Sequence, residues 1–227
     1  MSKEIIIFGI GKIADVIQFY MREESGLPVR AFTVDKEYVT SPTFNGLPVV
    51  PFEDLEKAYP ADRFSVFVAL GYHDLNALRA EKIAQVEAKG YEIISYIHPD
   101  SGAPKDLVHG KNCFIMNNVC IHPRVRLGDD VFVWSGTIIG HHSTIGHHNW
   151  LTSATNISGN VTVGNNCFFA INSTVGHSVQ IGSEVFIGAN TLIIKNIEDG
   201  KVVIKESDKP IKLNSKQFLR FSQFKSL

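Results

Sequence analysis

A six-residue repeat runs through the second half of the chain without a gap or an insertion. A helix repeats near every 3.6 residues and a half-buried strand every two, so neither ordinary period produces it. Six residues suit one short strand and one tight corner with the aliphatic side chain inward, and three such units close a triangular coil of about eighteen residues. The repeat therefore predicts a parallel β-helix. Its fourteen apolar positions are Ile115, Ile121, Leu127, Val133, Ile139, Ile145, Leu151, Ile157, Val163, Phe169, Val175, Ile181, Ile187 and Ile193.

Two further registers accompany the aliphatic one. Four residues after each aliphatic position comes a small or β-branched residue, from Val119 to Thr191, and only Asn149 departs from that type. The residue directly after the aliphatic position is often glycine, as in Gly140, Gly146 and Gly164. Chance can mimic three or four such hexads, but not a run of this length.

The first hundred residues follow a different pattern, in which apolar runs alternate with a helical one. Strands are predicted at 3–9, 29–35 and 64–71, a helix at 74–90, and a fourth strand in "YEIISYIHP". Strands that alternate with helices favour a small parallel sheet. The sequence therefore predicts an α/β N-terminal domain over residues 1–98, which resembles half of a Rossmann fold.

A glycine-rich turn links the first strand of this domain to the next helix. Gly9, Gly11 and Ala14 form a G-x-G-x-x-A pattern, in which backbone N–H groups can approach a phosphate at the start of a helix. Asp35 ends the second strand, where a carboxylate can meet a ribose or a base. The alternative is a tight turn with no ligand. A dinucleotide-binding oxidoreductase is disfavoured, because the domain has only about half of the strands of that fold.

Four of the nine histidines lie within eight positions, in the stretch "GHHSTIGHH". Such a density suggests either a metal site or a general base. His141 and His147 are six residues apart and so lie on different walls of the predicted coil, as do His142 and His148. One zinc ion cannot gather ligands from walls that face different directions, so we expect no metal. His177 lies two coils beyond His141 with Gly159 between them, and this wall is the best candidate for a cleft.

The composition of the chain limits the kinds of partner and environment that we expect for it. The formal net charge is −1, which predicts no bulk attraction to nucleic acid or to an anionic membrane. No stretch approaches the roughly 18 consecutive apolar residues of a membrane span. Cys113, Cys120 and Cys167 are odd in number and lack metal-ligand spacing, so we expect free thiols and a cytoplasmic location.

The combination of these segments is more specific than any one of them. An N-terminal α/β domain, then "LGYHDLNALRAEKI", "YIHPDS", "GHHSTIG" and "ISGNVTVGNNCF", resembles the bacterial nucleotide-sugar acyltransferases over roughly residues 4–196. These are left-handed β-helix (hexapeptide repeat) proteins, related to sialic acid O-acetyltransferases and bacillosamine-pathway N-acetyltransferases. The resemblance implies a homotrimer, a nucleotide-sugar in domain 1–98 and acyl-CoA in a groove between the β-helices, which span 99–196.

The resemblance also implies roles for individual residues. The family's catalytic histidine sits in a hexad H-x-x-x-I-G, which His141 begins here, and His142 stands where close relatives often carry a carboxylate that orients the imidazole. His141 and His142 are thus the catalytic candidates. The residues expected on acyl-CoA are Gly159, Ile171, Gly188 and Lys195. Those expected on the nucleotide-sugar are Gly9, Gly11, Lys12, Asp35 and Gly71.

The implied activity is transfer of an acetyl or hydroxyacyl group from acyl-CoA to the amine of a dTDP- or UDP-linked amino deoxysugar, for a surface polysaccharide such as the O-antigen of lipopolysaccharide. Sugar O-acetylation is the first alternative, because the same base can activate a hydroxyl. An NAD-type oxidoreductase and a non-catalytic binding module are the others.

The C-terminal tail, residues 197–227, departs from relatives, many of which end in V-x-G-x-P-A-K. From Lys205 onward it holds six Lys or Arg and two acidic residues, with Phe218, Phe221 and Phe224 among them. Either its aromatic residues dock on a neighbouring subunit or its basic residues contact the phosphates of CoA.

Overall fold

The computed structural model describes residues 3–221. Its first part is a six-stranded sheet with the strand order β3-β4-β2-β1-β5-β6. All neighbours are parallel except β3 and β4. The strands are β1 (Glu4–Phe8), β2 (Val29–Val34), β3 (Thr43–Phe44), β4 (Leu47–Pro51), β5 (Phe64–Val68) and β6 (Glu92–Ile93).

Short helical segments connect these strands. α1 continues directly into a π-helical segment, so that the chain is helical from residue 12 to residue 24. α3 is the longest helix and buries Ile83 and Val86 against β1 and β5. The α-helices are α1 (Lys12–Gln18), α2 (Leu55–Ala58), α3 (Ala77–Ala88) and α4 (Ser215–Phe221), with a π-helix at Phe19–Glu24 and 3-10 turns at Lys36–Tyr38 and Phe52–Asp54.

From Tyr96 to Val203 the chain forms a coil of two-residue parallel strands that stack into three walls. The first wall contains β7 (Tyr96–Ile97), β8 (Phe114–Ile115), β11 (Phe132–Val133), β14 (Trp150–Leu151), β17 (Phe168–Phe169), β20 (Phe186–Ile187) and β22 (Val202–Val203). The second contains β9 (Cys120–Ile121), β12 (Ile138–Ile139), β15 (Asn156–Ile157), β18 (Thr174–Val175) and β21 (Leu192–Ile193). The third contains β10 (Arg126–Leu127), β13 (Thr144–Ile145), β16 (Thr162–Val163) and β19 (Gln180–Ile181).

The predicted parallel β-helix is thereby confirmed, and it fits the left-handed coil that the resemblance implies. All fourteen aliphatic positions of the repeat are buried, from Ile115 at 0% to Leu127 at 4% exposure. The small residues of the second register are buried as well. Asn149, the exception in that register, is accommodated because its side-chain amide is fully hydrogen-bonded. Its Nδ2 donates to the carbonyls of Gly146 and Gly164, and its Oδ1 accepts from the Cys167 N–H.

The corners of the coil obey a register of their own. Every sixth residue from Asn112 to Asn190 has a positive φ, including His142 at 61° and Arg124 at 69°. Asparagine occupies six of these positions, because its short polar side chain tolerates the left-handed region better than most others. This asparagine register was available in the sequence as a further signal of the corners.

The sheet of the first part packs on the first wall of the coil through an aromatic stripe. Phe67 of β5 meets Phe114 and Phe132, with ring centroids 6.2 and 5.9 Å apart. Arg79 of α3 lies over the Phe132 ring at 4.3 Å and donates to Asp130 Oδ1 at 2.6 Å, with both side chains fully buried. These contacts fix the α/β sheet against the coil.

Three features of the strands differ from what the sequence predicts. The predicted fourth strand is split, because β6 pairs with β5 of the sheet while β7 pairs with β8 of the coil. β4 was not predicted, although it extends the parallel sheet beside β2. Parallel pairing also continues past residue 196, since β22 pairs with β20. Phe224 of the predicted aromatic set lies outside the described residues.

No helix within residues 3–221 is long and apolar enough to cross a membrane.

Candidate active site

One corner of the coil collects four of the six residues expected to be catalytic or to contact acyl-CoA. His141, Gly159, His177 and Lys195 follow one another at intervals of eighteen residues, where the chain passes from the second wall to the third. Backbone hydrogen bonds hold successive corners together, from the Asn160 N–H to His141 O at 2.8 Å and from the Ser178 N–H to Gly159 O at 3.1 Å. The imidazole rings of His141 and His177 are 6.2 Å apart between centroids. We call this set the histidine corner.

The side chain of His142 contacts that of His141 directly. Their Nδ1 atoms are 3.1 Å apart and the two rings stand nearly perpendicular, at 85°. One of these nitrogens must carry the hydrogen and the other must accept it. When His141 donates from Nδ1, its Nε2 keeps a lone pair and is available to take a proton. His142 occupies the corner position with a positive φ of 61°.

Gly159 lies under the ring of His141. A Cβ atom at this position would stand 2.7 Å from His141 Nε2 and 2.8 Å from Cε1, closer than real contacts allow. Its N–H makes none of the backbone hydrogen bonds between described residues, whereas the N–H groups of Ser158 and Asn160 on either side are bonded to Val175 O and His141 O. The glycine therefore makes room for the His141 ring, and its N–H is not used in the backbone hydrogen bonds between described residues.

A shallow groove of about 230 Å³ opens beside His141 on the second wall, and its floor is made of small and aliphatic residues. Its lining includes Ile138, whose side chain is 40% exposed, together with Gly140, Ser158 and Gly159. An uncharged, narrow groove of this kind suits an extended chain of amide and methylene groups.

The remaining clustered histidines lie at another corner. His147 and His148 stand where the third wall passes to the first, and their Nδ1 atoms lie 3.5 Å from Asp129 Oδ2 and 3.0 Å from Asp130 Oδ2. His148 thus joins the buried group around Asp130 that holds the α/β sheet to the coil. Within residues 3–221, no group of three or more His, Cys, Asp or Glu is arranged to hold a metal ion.

Two residues expected on acyl-CoA lie away from the histidine corner. Ile171 is 55% exposed at the corner where the first wall passes to the second. Gly188 directly follows β20 on the first wall, where its N–H donates to Val203 O at 2.8 Å and a Cβ would meet Ile204 at 2.9 Å. The structure therefore covers Gly188 with the segment around β22 instead of bringing it to His141, and its contact with the donor stays a prediction.

A second pocket, of about 840 Å³, lies at the carboxyl end of the parallel sheet. Gly9, Gly11 and Asp35 line it together with Tyr38 and Lys82. Lys12 and Gly71, which were expected with them, do not line it. Parallel sheets bind ligands at this edge, where the strand order changes direction. In this sheet β1 lies between β2 and β5, so the glycine turn after β1 lies at such a point.

The glycine turn has the geometry that close approach requires. Gly9 has a φ of 126°, and a Cβ there would lie 2.8 Å from Ala69 O, so no other residue fits. Gly11 precedes the first residue of α1, and a Cβ at Gly11 would meet nothing within 4 Å. The start of the helix is thus open to the pocket.

Sequence reasoning missed the partner of Asp35. Lys82 of α3 donates to the Asp35 carboxylate at 2.9 Å, and only 12% of the lysine side chain is exposed. The two residues are 47 positions apart and no motif joins them. Only the packing of α3 against the sheet reveals the pair, which places a donor and an acceptor side by side in the pocket.

The fold is that of a hexapeptide-repeat β-helix protein, and its histidine corner exposes the imidazole of His141. Residues 106–141 and 160–195 match the family described as bacterial transferase hexapeptide (six repeats). The resemblance stated from the sequence is confirmed to that extent, because the chain carries this repeat. No curated protein matches the chain by sequence.

Solved structures share this architecture over most of its length. PerB from Caulobacter crescentus, solved with CoA and GDP-perosamine, is 25% identical with a TM-score of 0.80, over 89% of this chain and 94% of that one. The acetyltransferase domain of PglB from Neisseria gonorrhoeae is 21% identical with a TM-score of 0.80, over 92% and 100%. WeeI from Acinetobacter baumannii is 17% identical with a TM-score of 0.79, over 90% and 97%.

Proposed function

We propose that the protein is an acyl-CoA-dependent N-acyltransferase that acylates the amine of a nucleotide-linked amino sugar. The observation that carries the proposal is the histidine corner, where His141 Nε2 faces a narrow groove while His142 engages its Nδ1. The likeness to PerB, which was solved with CoA and GDP-perosamine, supports the substrate class.

The reaction needs a base, because an amine is mostly protonated at neutral pH and attacks a thioester only when neutral. His141 takes this proton at Nε2, and the amine attacks the acyl carbonyl of acyl-CoA. The tetrahedral intermediate then collapses and the C–S bond breaks. The leaving sulfur of CoA takes up the second proton that the nitrogen loses as the amide forms, so CoA departs as the thiol. A positioned base of this kind contributes about 10²–10⁴-fold to the rate.

His142 and Gly159 assist this step in different ways. Protonated His141 carries hydrogen on both nitrogens, so its Nδ1–H is a donor and His142 must accept it through a neutral Nδ1. We assign to the oxyanion of the intermediate the Gly159 N–H as a donor, because this N–H has no partner among the described backbone groups. The donor thioester thus lies in the groove between Ile138 and Gly159.

The pocket at the end of the sheet is assigned to the nucleotide. In this proposal the glycine turn approaches the phosphates, and Asp35 with Lys82 contacts the ribose or the base. The unit 1–98 then holds the acceptor and the left-handed β-helix 99–196 performs the transfer, with Lys12, Gly71, Ile171, Gly188 and Lys195 as further contacts. We expect a homotrimer that works in the cytoplasm for a surface polysaccharide such as the O-antigen, as the resemblance implies.

A thiol-release assay tests the proposal. Acetyl-CoA and a hydroxyacyl-CoA are each offered with GDP-, dTDP- and UDP-linked amino sugars and with the matching sugars that carry a hydroxyl in place of the amine. Release with amino sugars alone is the expected result, and His141→Asn lowers it by about 10²–10⁴-fold. Release with the hydroxyl sugars alone establishes O-acylation, and no release with any acceptor refutes the proposal.

A further inference from the structure

Two hollows flank the pair formed by His141 and His142, and they differ in charge. The groove on the second wall, described above, has no charged residue apart from its histidines. The other hollow, of about 330 Å³, opens on the third wall and is lined by His142, Arg124, Arg126 and the carboxylate Asp106. His122 lines both hollows, so the two hollows are neighbours. His141 lines the groove on the second wall and His142 lines the hollow on the third wall.

The coil fixes where the two arginines lie. Arg124 is the corner residue one coil before His142, and the His142 N–H donates to the carbonyl of the adjoining Pro123 at 3.2 Å. Arg126 pairs in register with Thr144 on the third wall. Because adjacent strands of the coil are about 4.8 Å apart, Arg124 and Arg126 lie in the coil that is stacked directly against the one containing His141 and His142.

Neither arginine is neutralised by the protein. The ion pairs between described residues include neither Arg124 nor Arg126, whereas Arg30, Arg79 and six lysines take part in one. Asp106 is the one carboxylate of the lining, so the hollow keeps a net positive charge. A guanidinium offers a planar fork of donors that matches phosphate oxygens in pairs.

We propose that Arg124 and Arg126 form a phosphate subsite, which holds a phosphate group of one substrate while that substrate reacts at His141. The inference rests on the proposed function. The phosphate has two possible sources, the phosphates of CoA and the sugar-linked phosphate of the acceptor, whose nucleoside-linked phosphate is assigned to the glycine turn. The pocket at Gly9 and Asp35 shares no residue with this subsite, so the two can be tested separately.

The test uses residues that the coil itself places at equivalent positions. Asparagine is the commonest residue of the corner register, and Gln180 occupies the outward position of the third wall that Arg126 occupies. The variant Arg124→Asn/Arg126→Gln therefore removes both charges without straining the fold. Arg22→Gln is the matched control, because Arg22 is an exposed arginine of the π-helical segment that lines neither hollow.

Two measurements are made on each protein. The Kd for inorganic pyrophosphate is obtained by calorimetric titration, and KM is obtained for acceptor and donor by thiol release. Acetyl-pantetheine, which lacks all phosphates of CoA, and the free amino sugar, which lacks the nucleotide, serve as truncated substrates. We expect the double variant to raise the Kd and one of the two KM values about tenfold, which is the loss of about one charged hydrogen bond.

The truncated substrates identify the source. If the acceptor supplies the phosphate, the effect disappears with the free amino sugar and persists with acetyl-pantetheine, and the reverse holds for CoA. Unchanged Kd and KM values in the double variant, relative to Arg22→Gln, overturn the subsite. If the wild type releases no thiol with any acceptor, the proposed function fails, and the pyrophosphate titration still decides the subsite by itself.

Discussion

The Nδ1 atoms of His141 and His142 lie 3.1 Å apart, so the residue that orients the base is itself an imidazole. An ionised carboxylate can only accept a hydrogen bond, whereas Nδ1 of a neutral imidazole accepts in one tautomer and donates in the other. If His142 donates to His141 instead, the hydrogen of His141 moves to Nε2 and the base is lost. The chain thus depends on one tautomer of His142.

Replacement of His142 tests this dependence. His142→Ala removes the acceptor, and we expect kcat/KM to fall about tenfold, the value of one hydrogen bond that aligns the base. His142→Asp supplies an acceptor that has no second tautomer, and we expect activity at or above that of the wild type. Both substitutions suit the corner, since Ala154 and Asp130 occupy the same register with φ values of 59° and 60°. Thiol release with the best acceptor measures the effect.

The exposed His147 at another corner gives the control. His147→Asn should leave kcat/KM unchanged, because His147 contacts Asp129 and not His141. Equal losses in His142→Ala and His142→Asp would show that the imidazole does more than accept a hydrogen bond.

The second prediction concerns Gly159, whose lack of a side chain makes room for the ring of His141. In Gly159→Ala the new Cβ stands 2.7 Å from His141 Nε2, and the ring must move out of its place. A displacement of about 1 Å costs on the order of 10² in rate, so we expect kcat to fall about 100-fold. The melting temperature should change little, because the imidazole is exposed and can turn toward solvent.

Gly176→Ala is the control on the second wall, because Gly176 directly follows β18 and the nearest atom to the new Cβ is Ile193 O at 3.3 Å. It leaves His141 untouched, so its kcat should stay near that of the wild type. Equal activity of the two alanine variants would show that Gly159 does not hold space for the base.

The sequence predicted the coil better than it predicted the contacts between distant segments. The period of six placed Ile139, Ile157 and Val175 in the interior and stacked His141 over Gly159, because the strand spacing and the corner length repeat without change. The Arg79–Asp130 and Lys82–Asp35 pairs could not be predicted. They join α3 to elements about fifty residues away, and their formation depends on how the sheet packs against the coil, which no local pattern encodes.

The Arg79–Asp130 pair carries a prediction about stability. Both side chains are fully buried, and Asp130 also receives bonds from Asn112 and lies 3.0 Å from His148 Nδ1. Asp130→Asn keeps the shape and tolerates the positive φ, but it leaves the guanidinium of Arg79 without its counter-charge. Removal of one partner of a buried pair costs about 3–5 kcal/mol, so we expect a loss of that size in the free energy of unfolding, measured by urea denaturation.

An exposed pair supplies the comparison. Arg30 donates to Glu4 at the surface, and Arg30→Gln should cost about 0–1 kcal/mol. If Asp130→Asn proves as mild as Arg30→Gln, water reaches Arg79 and the contact between the sheet and the coil is looser than the burial indicates.

The cysteines carry the last prediction, on pH. Burial raises the pKa of Cys113 to about 12 and that of Cys167 to about 11, from an ordinary value of 9.0, whereas Cys120 is exposed on the second wall. Thiols whose pKa is raised in the folded state ionise first in the unfolded chain. Their stabilisation is therefore complete below about pH 9 and is lost as the pH rises toward 12, so the free energy of unfolding should fall across that range.

With a thiol reagent at pH 8, the native protein should label rapidly at Cys120 alone, and Cys120→Ser should abolish this phase. Rapid labelling of a second thiol in native Cys120→Ser would show that the coil opens locally at Cys113 or Cys167.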